Sequence, residues 1–331
     1  TTVKRLREAI LEPVELAGQS YHVTCSMGVA MYPADGDAAT TLLQNADAAM
    51  YRAKELGRNN YQLYAPEMNH NIRERLVHQA QLGEALARGE FRLTYQPQID
   101  AKSGRMFGVE ALLRWDHPTD GTILPAQFIP FAEESGLIIP IGDWVLREAC
   151  LQNRRWQDQG LPPITMSVNV SARQFMQAGW VEAVSSALAD TGLAPEYLEL
   201  ELTESLLMQN LDHSIETMEK LERMGVKLAI DDFGTGYSSL SALKHLPVAR
   251  LKIDQSFVRE LPNDANDRAI AAAIIALGQR LKMHVIAEGV ETPEQVSFLR
   301  ETGCHEFQGF HFSTPVSPGE ITTWLALGLD Q

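Results

Sequence analysis

Polar side chains that could do chemistry lie at the ends of separate apolar segments of the sequence. In the segment LELELT, Glu199 and Glu201 point to the same side of a strand because side chains alternate. A carboxylate inside a protein is costly unless it is paired or bound to a metal ion. The segment KLAIDD likewise ends in the adjacent acids Asp231 and Asp232. Similarly placed polar residues are Glu110, Asn169, Lys252, Glu288 and Gln308.

Carboxylates that meet at one rim repel one another, and divalent cations remove that repulsion. A ligand set of Glu, Asp and Asn without Cys or His suits Mg²⁺ or Mn²⁺ rather than Zn²⁺. Adjacent aspartates allow one carboxylate to bridge two metal ions while its neighbour completes the second. Two ions about 3.5–4 Å apart clamp a phosphodiester for in-line attack by water. Lys252 could orient that water or stabilise charge in the transition state.

The segment FGTGYSSL follows the two aspartates directly. Gly234 and Gly236 give it a flexible backbone, and Ser238 and Ser239 are available as helix caps. A loop joined to two metal ligands is well placed to couple metal binding to subunit contacts. We therefore expect this loop to link the site to a dimer interface.

Each of these residues also has a structural interpretation. A single strand-end carboxylate is more often a helix cap or an ion-pair partner than a ligand. Lys252 alone would be a solvated lysine at a rim, and Gln308 could satisfy backbone groups. The repetition of acids at equivalent ends of successive strands favours the functional interpretation.

From Phe91 onward, strands alternate with helices, which predicts a parallel sheet with helices outside. Eight strands over about 250 residues fit a TIM-like (β/α)8 barrel, whose active sites lie at the carboxyl ends of the strands. An open doubly wound sheet is the alternative, but the glycine-rich phosphate turns that would mark it do not occur in the sequence. The predicted strands are Arg92–Gln96, Phe107–Leu113, Thr165–Val170, Leu198–Thr203, Lys227–Asp231, Arg250–Asp254, His284–Glu288 and Glu306–Gly309. The predicted helices are Ile141–Gln157, Val181–Thr191, Leu211–Met224, Ala265–Leu281 and Pro293–Thr302.

Residues 1–66 form a separate part with too few strands to close a sheet. We predict helices at Val3–Leu11 and Ala39–Leu56, the second capped by Gly57. The predicted strands of this part are Tyr21–Val23 and Ser26–Met31. Residues 67–88 are predicted to be a stiff connecting helix, and residues 89–331 the barrel. Because Thr1 lies within a predicted helix, we expect the chain to be a piece of a longer protein, with sensory or membrane segments possible upstream.

Charge and cysteine content exclude several classes of protein. Lys and Arg number 28 against 43 Asp and Glu, a net charge of −15, so the chain has no general attraction for DNA, RNA or anionic lipid. No segment has the length and apolar character of a membrane helix or a signal peptide. The sequence therefore predicts a cytoplasmic protein or the cytoplasmic part of a membrane-anchored one. Cys25, Cys150 and Cys304 form no disulfide or zinc pattern, and His22, His284 and His305 are assigned structural roles.

Nine ordered motifs from about residue 75 to residue 331 carry a family resemblance. The most informative is GVEALLRW at Gly108–Trp115, which contains Glu-Ala-Leu. The set resembles the EAL-domain cyclic di-GMP phosphodiesterases. The other motifs are YQPQI (Tyr95–Ile99), FIPFAEESGLI (Phe128–Ile138), SVNVSARQF (Ser167–Phe175), ELTES (Glu201–Ser205), DDFGTGYSSL (Asp231–Leu240), LKID (Leu251–Asp254), AEGVE (Ala287–Glu291) and QGF (Gln308–Phe310).

The resemblance implies a barrel whose first strand is antiparallel to the others, hydrolysis of cyclic di-GMP to linear pGpG, and a homodimer. It implies that Lys252 positions the attacking water and that Glu204 holds the loop of the two aspartates. The implied ligands of one metal ion are Glu110, Asn169, Glu201 and Asp231, and those of the other are Asp231, Asp232 and Glu288. The implied substrate contacts are Gln96, Leu112, Arg114, Glu291 and Gln308. Phe310 stands where many members of the family carry Tyr.

Residues 1–64 resemble the carboxyl-terminal part of a GGDEF diguanylate cyclase domain. The similarity lies in SMGVAMYPADG at Ser26–Gly36 and NADAAMYRAKELGRNNY at Asn45–Tyr61. The GGDEF signature itself does not occur, so we expect no synthesis of cyclic di-GMP by this part. We expect it to be partly ordered against the connecting helix or to carry an exposed sheet edge. Two alternatives to the hydrolase remain, namely a non-catalytic cyclic di-GMP receptor and an unrelated metal-dependent barrel enzyme.

Overall fold

Two units make up the chain, Thr1–Leu82 and Gly83–Gln331. The structure is a computed structural model that describes residues 2–11, 14–16, 19–21, 23–55, 59–235 and 243–327. Gly57, His22, Gly236, Ser238 and Ser239, for which the sequence makes predictions, lie outside these ranges. In the described ranges, none of the helices has both the length and the apolar character needed to cross a bilayer.

The smaller unit contains two pairs of short strands in its described residues. Strands β1 and β2 form an antiparallel hairpin, and β3 and β4 pair in parallel. Gly28 on β3 packs directly on the second helix, because a Cβ there would lie 1.8 Å from the carbonyl oxygen of Ala46. The elements are α1 (Thr2–Leu11), β1 (Val14–Leu16), β2 (Gln19–Tyr21), β3 (Met27–Val29), α2 (Ala39–Glu55), β4 (Tyr61–Leu63) and α3 (Glu67–Arg88), whose residues from Gly83 onward belong to the larger unit.

In the described part of the larger unit, eight strands close into a barrel. The sheet order is β5-β13-β12-β11-β10-β9-β8-β6, and the pairing of β5 with β6 closes it. Strand β5 is antiparallel to both of its neighbours, and the other neighbouring pairs are parallel. The strands are β5 (Phe91–Asp100), β6 (Arg105–His117), β7 (Gly121–Ile123), β8 (Thr165–Asn169), β9 (Leu198–Thr203), β10 (Lys227–Phe233), β11 (Arg250–Ile253), β12 (His284–Ala287) and β13 (Glu306–Phe307).

The predicted TIM-like barrel with one antiparallel strand is therefore confirmed. Strand β7 was not predicted, and it extends the sheet beyond β6 as a hairpin. The barrel strands are almost entirely buried, as strands covered by helices on the outside must be. The helices of this unit are α4 (Pro125–Ser135), α5 (Ile138–Asp158), α6 (Ala172–Phe175), α7 (Trp180–Thr191), α8 (Glu204–Gln209), α9 (Leu211–Arg223), α10 (Ala265–Leu281), α11 (Pro293–Thr302) and α12 (Pro318–Leu327).

Candidate active site

The carboxyl ends of neighbouring barrel strands bring the predicted polar residues together at one rim. Parallel strands end at the same side of a barrel, so side chains near those ends converge. The strand register places Asn169 directly beside Glu201. The converging residues are Glu110 on β6, Asn169 on β8, Glu201 on β9, Asp231 and Asp232 on β10, Lys252 on β11, and Glu288 immediately after β12.

Lys252 lies at the centre of this group, with its side chain only 1% exposed. Its Nζ lies 2.6 Å from both Glu201 Oε2 and Glu288 Oε1. The same atom lies 3.1 Å from Asp231 Oδ1 and 3.8 Å from Glu110 Oε2. One buried cation thus faces four carboxylates, and the cluster is left with an excess of negative charge.

Burial and the surrounding charges shift the pKa values of Glu201, Glu288 and Lys252. Burial raises the pKa of Glu201 well above its ordinary value, with Lys252 opposing the shift and the neighbouring carboxylates adding to it. Burial likewise raises the pKa of Glu288 to about 8, against the influence of Lys252. Burial lowers the pKa of Lys252, but the surrounding carboxylates outweigh it and raise that pKa well above its ordinary value. The ammonium group therefore stays charged.

The two aspartates lie at an irregularity in β10. The register with β11 shifts between Ile230 and Phe233, and Asp232 has a φ of 53°, in the left-handed region. A regular strand would point one of two successive side chains away, but at this irregularity Asp232 lies close enough to Asp231 and Lys252 for both charges to act on its carboxyl group. Burial raises the pKa of Asp232 to about 6, and the charges of Asp231 and Asp254 add to the shift.

Replacing Asp232 by asparagine is expected to stabilise the metal-free protein. Asparagine adopts the left-handed conformation readily, and it removes a charge that faces Asp231 and Asp254. Urea unfolding in EDTA should give a higher free energy of unfolding for Asp232→Asn than for the wild type, whereas Mg²⁺ should stabilise the variant less. Asp232→Ala is the control for the backbone, since it removes the same charge but should be about 1–2 kcal/mol less stable than Asp232→Asn because of the left-handed conformation. A lower stability of Asp232→Asn in EDTA would contradict the charge argument.

Glu204 anchors the chain that follows the aspartates. It begins α8 and is 2% exposed, and its Oε2 accepts a hydrogen bond of 3.2 Å from the backbone N–H of Gly234. Gly234 has a φ of 101°, and a Cβ there would lie 2.9 Å from the ring of Phe257. The described start of the loop is therefore fixed by a buried carboxylate and by the close approach of an aromatic ring.

A cavity of about 220 Å³ opens onto the rim. It includes three members of the acidic group and its lysine, together with three of the implied substrate contacts. Phe310 at its edge is 60% exposed. The lining residues are Gln96, Glu110, Asp231, Lys252, Gln255, Glu288, Gly289, Glu291, Gln308, Gly309 and Phe310.

Leu112 and Arg114 lie on β6 beyond Glu110 and outside this lining. Alternation along the strand places them on the same face as Glu110. Arg114 is half-buried, and its Nη1 donates to the carbonyl oxygen of Leu113 at 2.8 Å. Burial lowers the pKa of Arg114, as does the nearby Arg92. The guanidinium group is therefore close to the rim but engaged by its own strand.

Gln255 and Gly289 also line the cavity, although neither is among the site residues predicted from the sequence. Each of them follows a strand-end residue of the predicted site by one to three positions, so the sequence does contain a signal that could have indicated them. Gly289 has a φ of 64°, and a Cβ there would lie 2.6 Å from Cβ of Gln255. The close approach of these two loop residues shapes the wall of the cavity.

The donor set fits hard divalent cations. Its atoms are carboxylate and amide oxygens, which Mg²⁺ and Mn²⁺ prefer. Glu201 Oε1 is buried and has no hydrogen-bond partner among the described residues. Leaving such an oxygen unpaired is costly, and a cation would satisfy it. Asn169 donates to Glu110 Oε1 at 2.6 Å, so its own carbonyl oxygen can still act as a ligand.

Comparison with known proteins gives two family matches. The family model described as EAL domain matches residues 79–315, and the model described as diguanylate cyclase, GGDEF domain, matches residues 1–60. The bifunctional diguanylate cyclase/cyclic di-GMP phosphodiesterase MucR of Pseudomonas aeruginosa is 46% identical over 98% of this chain and 48% of its own length. The cyclic di-GMP phosphodiesterase NbdA of the same organism is 43% identical over 97% of this chain and 41% of its own length. The chain thus spans about half the length of these curated relatives.

Solved structures give the same grouping. The PaMucR phosphodiesterase in complex with c-di-GMP is 50% identical, with a TM-score of 0.71, and the match covers 73% of this chain and 98% of that one. The EAL domain of FimX from Pseudomonas aeruginosa, bound to c-di-GMP, is 28% identical, with a TM-score of 0.66, and the match covers 72% of this chain and 95% of that one. The sequence and the fold therefore agree on one set of relatives.

Proposed function

The chain belongs to the EAL-domain family, and from this membership we propose that its larger unit hydrolyses cyclic di-GMP. The relatives MucR and NbdA are named as cyclic di-GMP phosphodiesterases. The observation that carries the proposal is the convergence of acidic side chains from different strands around Lys252. Such a site suits a phosphodiester in an otherwise acidic protein, because cations rather than basic side chains would meet the phosphate.

We propose that two Mg²⁺ or Mn²⁺ ions bind at this rim. When bound, such a pair holds phosphate oxygens and activates a water molecule for in-line attack. Asp231 would be shared between the two ions, and the irregularity of β10 at the neighbouring Asp232 supports this assignment. The proposed ligands are Glu110, Asn169, Glu201 and Asp231 for one ion, and Asp231, Asp232 and Glu288 for the other.

Lys252 is proposed to position the attacking water and to stabilise the charge that develops on the phosphate. Its buried ammonium group holds its proton, so it donates hydrogen bonds at fixed places. Glu204 is proposed to keep Asp232 in position through the backbone of Gly234. Attack by water on one of the two phosphorus atoms would form a new P–O bond while the P–O3′ bond breaks, and the released 3′-oxygen would take up a proton to give linear pGpG.

Substrate contacts are proposed for the polar residues around the cavity. Arg114 can pair with a phosphate or with a guanine edge through its planar guanidinium group. Leu112 lies on the same strand face and offers apolar contact. The other proposed contacts are Gln96, Glu291 and Gln308, which line the cavity.

Incubating the purified chain with cyclic di-GMP and Mg²⁺ or Mn²⁺ tests the proposal. We expect conversion to pGpG, measured by ion-exchange chromatography, and loss of turnover in EDTA. Titration of the same protein with cyclic di-GMP in Ca²⁺ measures binding separately. Tight binding without turnover in Mg²⁺ and in Mn²⁺ would overturn the hydrolase and favour the receptor alternative.

We also propose the domain organisation 1–66, 67–88 and 89–331, with a GGDEF fragment, a connecting helix and the EAL domain. The observed helix α3 spans Glu67–Arg88, and the family matches cover residues 1–60 and 79–315. A homodimer and a cytoplasmic location are part of the same proposal. Light scattering of the purified chain, with and without substrate, tests the dimer.

A further inference from the structure

A series of hydrogen bonds crosses the inside of the barrel and ends at the candidate site. It starts near the amino-terminal ends of β9 and β11, where Glu199 pairs with Arg250. Arg250 Nε lies 3.1 Å from each carboxylate oxygen of Glu199, and both side chains are buried. The next members are Ser167, Gln98 and Gln308, all of them buried.

The direction of each hydrogen bond is fixed by the previous one. A carboxylate paired with arginine only accepts hydrogen bonds, so the Ser167 hydroxyl donates to Glu199 Oε1 at 3.1 Å. The Ser167 oxygen then accepts from Gln98 Nε2 at 3.4 Å. The same amino group donates to Gln308 Oε1 at 3.1 Å. The Gln308 carbonyl therefore faces Gln98, and its amino group faces the rim.

At the rim, the amino group of Gln308 donates to Glu110 Oε2 and, at 3.0 Å, to Gln96 Oε1. A reversed Gln308 amide would place its carbonyl oxygen against the Glu110 carboxylate. Two acceptors in contact inside a protein are unfavourable. The orientation of the Gln308 amide thus decides whether Glu110 is held or repelled.

We infer that Gln98 is a positioning residue, whose amino group fixes the amide of Gln308 and thereby the carboxylate of Glu110. The inference rests on the proposed function, in which Glu110 is a metal ligand. Gln98 is not part of the cavity lining, so it acts through Gln308. The Gln98 side chain has room beside β6 because residue 108 is glycine, since a Cβ at Gly108 would lie 2.7 Å from Gln98 Oε1. That oxygen has no hydrogen-bond partner among the described residues, which leaves the amino group as the functional end.

The variant Gln98→Met keeps the side-chain length and removes the donor. We expect kcat to fall about 10- to 100-fold, as is usual when a residue that orients a metal ligand is lost, with little change in KM. The matched control is Asn153→Leu on α5. Asn153 is also buried, donates to two acceptors and has an unpartnered carbonyl oxygen. The control should keep kcat, and an equal loss of kcat in both variants would overturn the inference.

Side-chain amide exchange measures the same link without turnover. The Gln308 side-chain amide protons are assigned by NMR as the signals that are lost in Gln308→Met. In metal-free Gln98→Met, these protons are expected to exchange with solvent at least about 10-fold faster, because the Gln308 carbonyl oxygen loses the hydrogen bond that Gln98 donates. Asn153→Leu should leave them unchanged. Should Gln98→Met fail to fold, Gly108→Ala displaces the Gln98 amide and should give the same acceleration.

The two measurements separate the two proposals. Unchanged Gln308 exchange in the folded Gln98 or Gly108 variant would overturn the positioning role, whatever the substrate is. Accelerated exchange in a protein that binds cyclic di-GMP but does not hydrolyse it would overturn the proposed function and support the link from Gln98 to Gln308.

Discussion

Lys252→Met is expected to lower kcat for cyclic di-GMP by about 10³-fold, because it removes a preorganised donor at the place where charge develops. KM should change little, since the interaction is made mainly in the transition state. Methionine has a similar length and no charge, so the shape of the site is largely kept. Steady-state kinetics in Mg²⁺ measures the split between kcat and KM. Equal losses in turnover and in substrate binding would mean that Lys252 has a different role.

The same variant should also be less stable when metal is absent. Lys252 is the cation that contacts Glu201, Glu288 and Asp231, and breaking a buried ion pair by removing one partner typically costs about 3–5 kcal/mol. Protonation of the carboxylates and added Mg²⁺ should each recover part of that loss. Urea unfolding in EDTA and in Mg²⁺ measures it. A variant as stable as the wild type in EDTA would contradict this account of the cluster.

Lys220→Met is the matched control for both measurements. Lys220 pairs with Glu216 at 2.7 Å on the surface of α9, and both side chains are about half exposed or more. Surface pairs of this kind contribute little because water screens them. The control should therefore retain kcat and unfold as the wild type does. A loss of kcat in the control would point to a general effect of removing positive charge from this acidic chain.

The sequence predicts the barrel best where local pattern and final packing agree. Strand β9 and the helices α10 and α11 have the predicted bounds, since their apolar residues recur at strand or helix spacing and clear end signals flank them. Helix α4 was missed because Pro130 lies inside it, and proline is unfavourable in the interior of a helix. The strand β7 has three residues, which are too few to show an alternation of apolar and polar side chains. The antiparallel direction of β5 came from the family resemblance, because side-chain alternation is the same in either direction.

The candidate site, like the fold, could be predicted from the sequence only in part. Strand-end acids such as Glu201 and Asp231 could be identified from the sequence, because charge at the end of an apolar strand is a local signal. The four contacts of Lys252 could not be predicted, since they depend on how separate strands are staggered around the barrel. Gln98 was missed for a similar reason. Its partner Gln308 lies 210 residues away along the chain, and a glutamine within a strand has no distinguishing period.

Glu110→Ala is expected to lower the rate of pGpG formation by about 10³-fold or more. The carboxylate accepts hydrogen bonds from Asn169 and Gln308, so its removal takes away a proposed ligand and leaves two buried amino groups without their acceptor. The metal pair that activates water and holds the phosphate would be incomplete. Hydrolysis measured at saturating Mn²⁺ separates weaker metal binding from a slower chemical step.

The number of metal ions bound by Glu110→Ala tests directly whether Glu110 is a ligand. Asp232 and Glu288, proposed for the second ion, are unchanged in Glu110→Ala, so calorimetric titration with Mn²⁺ should show one site retained and one weakened by at least about 10-fold, as is typical when metal-site residues are removed. Glu148→Ala is the control, because Glu148 pairs with Arg155 on α5 at 3.2 Å and is not one of the proposed ligands. It should retain both sites and full turnover. If Glu110→Ala bound two ions as tightly as the control does, Glu110 would not be a ligand, and its hydrogen bonds to Asn169 and Gln308 would be structural.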